Sequence, residues 1–275
     1  MDVSSKFLRA SPDNLAGAPF VLLNVRRLSF LAALVVVAGC GGSGGHTQPK
    51  LTPLVTQGPI GSGAQEVWFY AAKGKPRSLV VFLHGYGGPV EETPANHVAW
   101  LRHLAAEGSD VIYPRYEVGA STNPYPNIDT AVREATSKLG KPHVPVIVIG
   151  YSRGGRVAID YAALRAAAGH EPRLVLCVFP AVHAPGERLA SLKPLDGNMR
   201  LVLMVGDKDT GVDGSGARVI LARLELANFP ASRIKLMIVR SNKKFQATHT
   251  SVLESNRGAR LAFWKPTDKL IDAVR

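Results

Sequence analysis

Cysteine is scarce. Only Cys40 and Cys177 occur in 275 residues, too few for the disulfide framework of a small secreted domain. No apolar run reaches the roughly 18–20 residues that a bilayer-spanning helix needs, which excludes a polytopic membrane protein. There is no H-E-x-x-H, no H-x-x-x-H and no glycine-rich loop ending in G-K-[ST], so neither a metal nor a nucleotide cofactor is expected. The net charge is +12, yet no dense basic run exists; the best are Arg26-Arg27 and Lys243-Lys244. That points to a soluble, arginine-rich surface, with weak attraction to anionic surfaces as the alternative, and not to a nucleic-acid binder. With 46% hydrophobic and 20% charged residues, the chain is neither disordered nor a coiled coil, and it is long enough for a sizeable core.

The first 40 residues read as an address. Arg26 and Arg27 precede Leu28 to Ala38, apolar except for Ser29, and Val37-Ala38-Gly39-Cys40 follows. A positive flank, a short apolar core and a small-residue exit are the parts of a secretory signal. The V-A-G-C ending resembles the lipobox of bacterial lipoproteins, which implies lipidation at Cys40, export and a membrane anchor; an ordinary secretory signal with an incidental cysteine, giving a secreted protein, is the alternative. Residues 41–60 are rich in Gly, Pro, Thr and Gln and read as a flexible tether. Residues 61–275 are then expected to form one domain.

Within that domain, apolar runs alternate with segments of helical length. The runs are 78–83, 110–113, 144–149, 174–179, 201–205 and 234–239; the helical segments are 93–107, 127–139, 153–168, 214–228 and 256–274. Runs apolar on both faces are those of strands buried between two helix layers. The expected fold is therefore α/β, a three-layer sandwich around a mainly parallel, doubly wound sheet. An extra strand at 66–71 is expected to open it on an antiparallel edge.

In such sheets, functional groups gather past the carboxyl ends of strands. G-x-S-x-G occurs twice. Gly41-Gly42-Ser43-Gly44-Gly45 lies in the tether and follows no strand. Gly150-Tyr151-Ser152-Arg153-Gly154 joins a buried strand to an alanine-rich helix. A sharp strand-to-helix turn there pushes the serine into a strained conformation. Side chains two residues either side would clash, hence the glycines. Asp209, in Gly206-Asp207-Lys208-Asp209, is the preferred orienting acid; Asp207 sits nearer the strand and is expected to brace the turn, with Asp213 the next rival. His249 is the only histidine after residue 183, which leaves few choices of base. Imidazole can take a serine proton near neutral pH while a carboxylate holds its tautomer.

Together with His84-Gly85-Tyr86-Gly87-Gly88, these motifs resemble the serine hydrolases of the α/β-hydrolase superfamily, over roughly residues 65–275. The layout is similar to the dienelactone-hydrolase-like and esterase/lipase branches. It departs from the lipase H-G-G-G pattern at Tyr86 and carries serine where dienelactone hydrolases have cysteine. The resemblance implies Ser152 as nucleophile, Asp209 as orienter and His249 as base. It also implies oxyanion donors in the backbone N–H groups of Tyr86 and Arg153. His84 is expected to brace its loop. The 180–200 connection is short, with room for one helix near 187–192, so an open site is expected, with Tyr86 and His183 as candidate substrate-binding residues. The expected activity is hydrolysis of carboxylic esters. A serine peptidase, an acyltransferase or a non-catalytic, ligand-binding surface lipoprotein are the alternatives.

Overall fold

The computed structural model describes residues 56–275 apart from 89, 90, 120, 122, 141 and 142. The leader, Cys40 and most of the tether lie outside the described residues. Eight strands form one sheet in the order β1-β2-β4-β3-β5-β6-β7-β8. They are β1 (Thr56–Ile60), β2 (Val67–Tyr70), β3 (Ser78–Leu83), β4 (Ser109–Pro114), β5 (Val146–Tyr151), β6 (Leu174–Val178), β7 (Arg200–Gly206) and β8 (Ile234–Val239). From β4 to β8 every neighbouring pair is parallel, while β1 and β2 run antiparallel.

The layering follows from alternation along each strand. In β3, Val80 and Phe82 join a core with Trp100 and Leu104 of α1 (Val98–Ala106) and with Phe263 and Ile271 near the C-terminus. Val81 and Leu83 point the other way. They meet α2 (Tyr125–Lys138), α3 (Arg153–Ala167) and α4 (Ser215–Leu226) through Ile128, Val157 and Ile220. Helices thus cover both faces, as the two-sided apolar runs require.

Several boundaries differ from expectation. The last five residues of the expected tether are β1, paired with β2 through Thr56–Tyr70 and Gln57–Phe69. The expected edge strand at 66–71 is therefore covered; the strand observed there, Val67–Tyr70, is buried at all four residues. Thr-Gln-Gly-Pro-Ile has no apolar periodicity because an edge strand is held by backbone pairing more than by side-chain burial. Strand β5 runs two residues further than expected, so Ser152 follows it directly. The segment expected to hold a helix at 187–192 contains only turns and irregular chain. The last helical segment is α5 (Arg257–Ala259), a π-helical turn (Arg260–Trp264) and α6 (Lys265–Asp272), following one another directly.

Candidate active site

Ser152 sits between β5 and α3 with φ 54° and ψ −117°, a region that side chains rarely adopt. Packing enforces the strain. A Cβ on Gly150 would meet the Gly154 carbonyl oxygen at 2.0 Å, and one on Gly154 would meet the Leu83 oxygen at 2.1 Å. Both positions accept only glycine while β3, β5 and the first turn of α3 stay this close. The elbow is tied to its neighbour as well: the Ser152 N–H donates to the Val178 carbonyl at 2.9 Å and the Ala181 N–H to the Ser152 carbonyl at 3.0 Å.

Three side chains distant in sequence meet here. Ser152 Oγ lies 2.9 Å from His249 Nε2, and His249 Nδ1 lies 3.0 Å from Asp209 Oδ2. Asp209 is buried, and its Oδ1 accepts the Gly211 and Val212 N–H groups at 2.9 and 3.2 Å. Those bonds fix the carboxylate, and Gly211 packs against His249, where a Cβ would come to 3.2 Å. The Tyr151 hydroxyl donates to the His249 carbonyl at 3.0 Å, with its ring 5.2 Å from the imidazole. Asp207 instead accepts the Ser241 N–H at 2.9 Å and its hydroxyl at 2.5 Å, anchoring the loop that leads to His249. Those bonds hold the exposed Asp207 carboxyl below the usual range. Asp213 bonds Ser215 and Arg218 within its own turn. In this array a carboxylate can fix the imidazole tautomer and the imidazole can accept the hydroxyl proton.

The loop after β3 abuts the elbow. A Cβ on Gly85 would lie 3.3 Å from Ser152 Cβ, so Tyr86, the next residue, flanks the serine; its side chain is 61% exposed. Arg153 is the first residue of α3, and a first-turn N–H has no acceptor within its own helix. His84 is buried between Tyr113 and Tyr116 and contacts the Gly85 and Arg115 carbonyls at 2.6 and 2.7 Å. Burial lowers its pKa. These contacts brace the loop.

His183 goes elsewhere. Its Nε2 lies 3.1 Å from Asp160 Oδ2, in a buried cluster with Arg223 and Tyr125. Asp160 is eight residues along α3 from Ser152, about 12 Å at 1.5 Å per residue. The structure thus gives His183 a partner well down the helix.

Sequence reasoning missed a buried ion network at the elbow. Arg153 Nε donates to both Glu117 oxygens at 2.8 and 2.9 Å, and its guanidinium also pairs with Glu187. Arg156 pairs with Glu187 too, while its Nε has no partner among the described residues. Burial, with the Arg153 charge beside it, pulls the Arg156 guanidinium down to about 10. Two cations in a helix's first turn oppose its dipole; Glu117 and Glu187 offset them and fasten the loops after β4 and β6 to α3. The strand-end rule reaches Glu117, three residues past β4, but nothing local marks its partner.

The strand order, the strained serine turn and the helices on both faces define an α/β-hydrolase fold. Solved structures with this fold resemble the chain. Esterase B from Lactobacillus rhamnosis is 16% identical with a TM-score of 0.58, over 80% of this chain and 85% of that one. Carboxyl esterase 2 from the fungus Tuber melanosporum is 14% identical with a TM-score of 0.57, over 84% and 90%. Monoglyceride lipase from Saccharomyces cerevisiae is 13% identical with a TM-score of 0.55, over 80% and 94%. At such identities the likeness is one of fold. No protein-family model and no curated protein matches the sequence.

Proposed function

We propose that the protein is a serine-dependent carboxylic ester hydrolase. The observation that carries this reading is the relay from Asp209 through His249 to Ser152, with contacts of 3.0 and 2.9 Å at a strained serine turn. Ser152 Oγ attacks the ester carbonyl carbon as its proton passes to His249 Nε2. The N–H groups of Tyr86 and Arg153 receive the oxyanion. Collapse breaks the bond to the alcohol oxygen, which leaves with the proton from His249. Water then attacks the acyl-serine through the same imidazole and releases the acid. Two of the similar structures support this chemistry: esterase B was solved inhibited by a tributyrin phosphonate, and the yeast lipase with a substrate analogue.

Labelling with a fluorophosphonate tests the reading. The wild type is expected to label and Ser152→Ala to stay blank, with p-nitrophenyl ester hydrolysis lost in parallel. Equal labelling of both proteins, or of neither, removes the proposal. The leader adds a reading of location, export with lipidation at Cys40. A mass increase of the mature N-terminal peptide, absent in Cys40→Ala, is the expected result.

A further inference from the structure

The cations that form no dense run in the sequence gather in space. Residues 233–275 hold ten lysines and arginines against three acids, so this stretch carries +7 of the whole chain's +12. Two of the acids are engaged locally, Asp268 with His103 at 2.9 Å and Asp272 with Arg275 at 2.5 Å. Nine exposed lysines and arginines between 233 and 269 make no ion pair with a described residue.

Topology brings five of them, Arg233, Lys235, Arg240, Lys265 and Lys269, to one side. Strand β8 ends the sheet, and the C-terminal helical run lies alongside it. Lys235 and Met237 of β8 line one groove with Leu261, Lys265 and Lys269. The next groove joins Met237, Ile238 and Arg240 to Leu261, and a third continues through Arg233 and Lys235. Large aliphatic side chains flank this edge on both sides: Leu261, 54% exposed, lines two of the grooves, while Leu236 and Ile238, each 50% exposed, alternate to the opposite face of β8. A sheet edge flanked on both sides by half-exposed aliphatics, with unpaired cations spread over a strand and a helix, is wider than one added peptide strand, which lies only about 4.8 Å from its neighbour.

We infer that this edge of the sheet, with the helix beside it, docks the protein on an anionic phospholipid bilayer. Lysine and arginine stems lie along the surface with their charges among the lipid phosphates, each contributing attraction near the membrane. Leu236, Ile238 and Leu261 reach the headgroup boundary, where the unpaired backbone of β8 stays hydrated. A second copy does not fit the face, because two such edges would set cation against cation. The docking is independent of the reaction above, although Arg240, Lys243 and Lys244 lie on the loop that leads to His249.

Flotation of the full chain with phosphatidylcholine vesicles, with and without about 30 mol% phosphatidylglycerol, tests it. The wild type is expected to bind the anionic vesicles at least about tenfold more tightly and to lose that advantage at about 0.5 M NaCl. Lys235→Glu/Lys265→Glu/Lys269→Glu is expected to abolish the preference. Lys73→Glu/Lys138→Glu/Lys193→Glu, with the same change in net charge on exposed sites elsewhere, is expected to keep it. If the first triple variant melts early, the corresponding three Lys→Gln changes replace it, with the preference again expected to fall. Equal binding to both vesicles, equal loss in both triple variants, or retention by polyglutamate but not by vesicles overturns the inference.

Discussion

At the scale of the residue, geometry separates Asp209 from its acidic neighbours. Asp207, Asp209 and Asp213 lie within seven positions of one another, and all follow the same strand. Only Asp209 turns inward, because its Oδ1 accepts two backbone N–H groups and leaves Oδ2 for His249. Asp209→Asn is therefore expected to lower kcat by about 10³–10⁴-fold with KM little changed, since the wrong imidazole tautomer would face Ser152. Steady-state kinetics on a p-nitrophenyl ester check this, and Asp213→Asn, at an exposed turn, is expected to act like the wild type.

At the scale of the element, α3 carries both the nucleophile and the charges that bind its neighbours. Glu117 and Arg153 are almost fully buried, with 1% and 6% side-chain exposure. Removing one partner leaves an uncompensated charge, at a cost of about 3–5 kcal/mol. Glu117→Gln is expected to lower the melting temperature by about 6–20 °C, at about 2–4 °C per kcal/mol for a domain of this size. Glu117→Met combined with Arg153→Met is expected to recover most of that loss, because two apolar side chains of similar length leave no orphan charge. A double variant as unstable as the single one would contradict this account. The same scale shows where local reading fails. The 187–192 segment has helical composition, yet Glu187 is drawn onto Arg153 and Arg156, and a tertiary ion pair overrides a weak local propensity.

At the scale of the whole molecule, pH acts at the end of the sheet opposite the serine. Burial, with Asp196 beside it, pushes the Glu171 carboxyl up to about 7. The folded state thus holds this proton more tightly than the unfolded chain. The stabilisation is complete below the ordinary carboxyl range and is lost as pH rises through about 7. The pair is partly exposed, so screening keeps the effect to the order of 1 kcal/mol, or about 2–4 °C. Melting scans at pH 5 and pH 8 should show that difference, and Glu171→Gln should flatten it. The sequence by itself determined the layered α/β architecture, because two-sided apolar runs admit only burial between helices. It also determined the serine turn, because Gly150 and Gly154 leave room for no side chain. Whether Asp209 or a neighbour faces His249, where His183 goes, which charges meet at α3 and how scattered lysines form one face were decided only by tertiary structure. Each depends on contacts between residues tens of positions apart, and no local pattern encodes the direction in which such side chains turn.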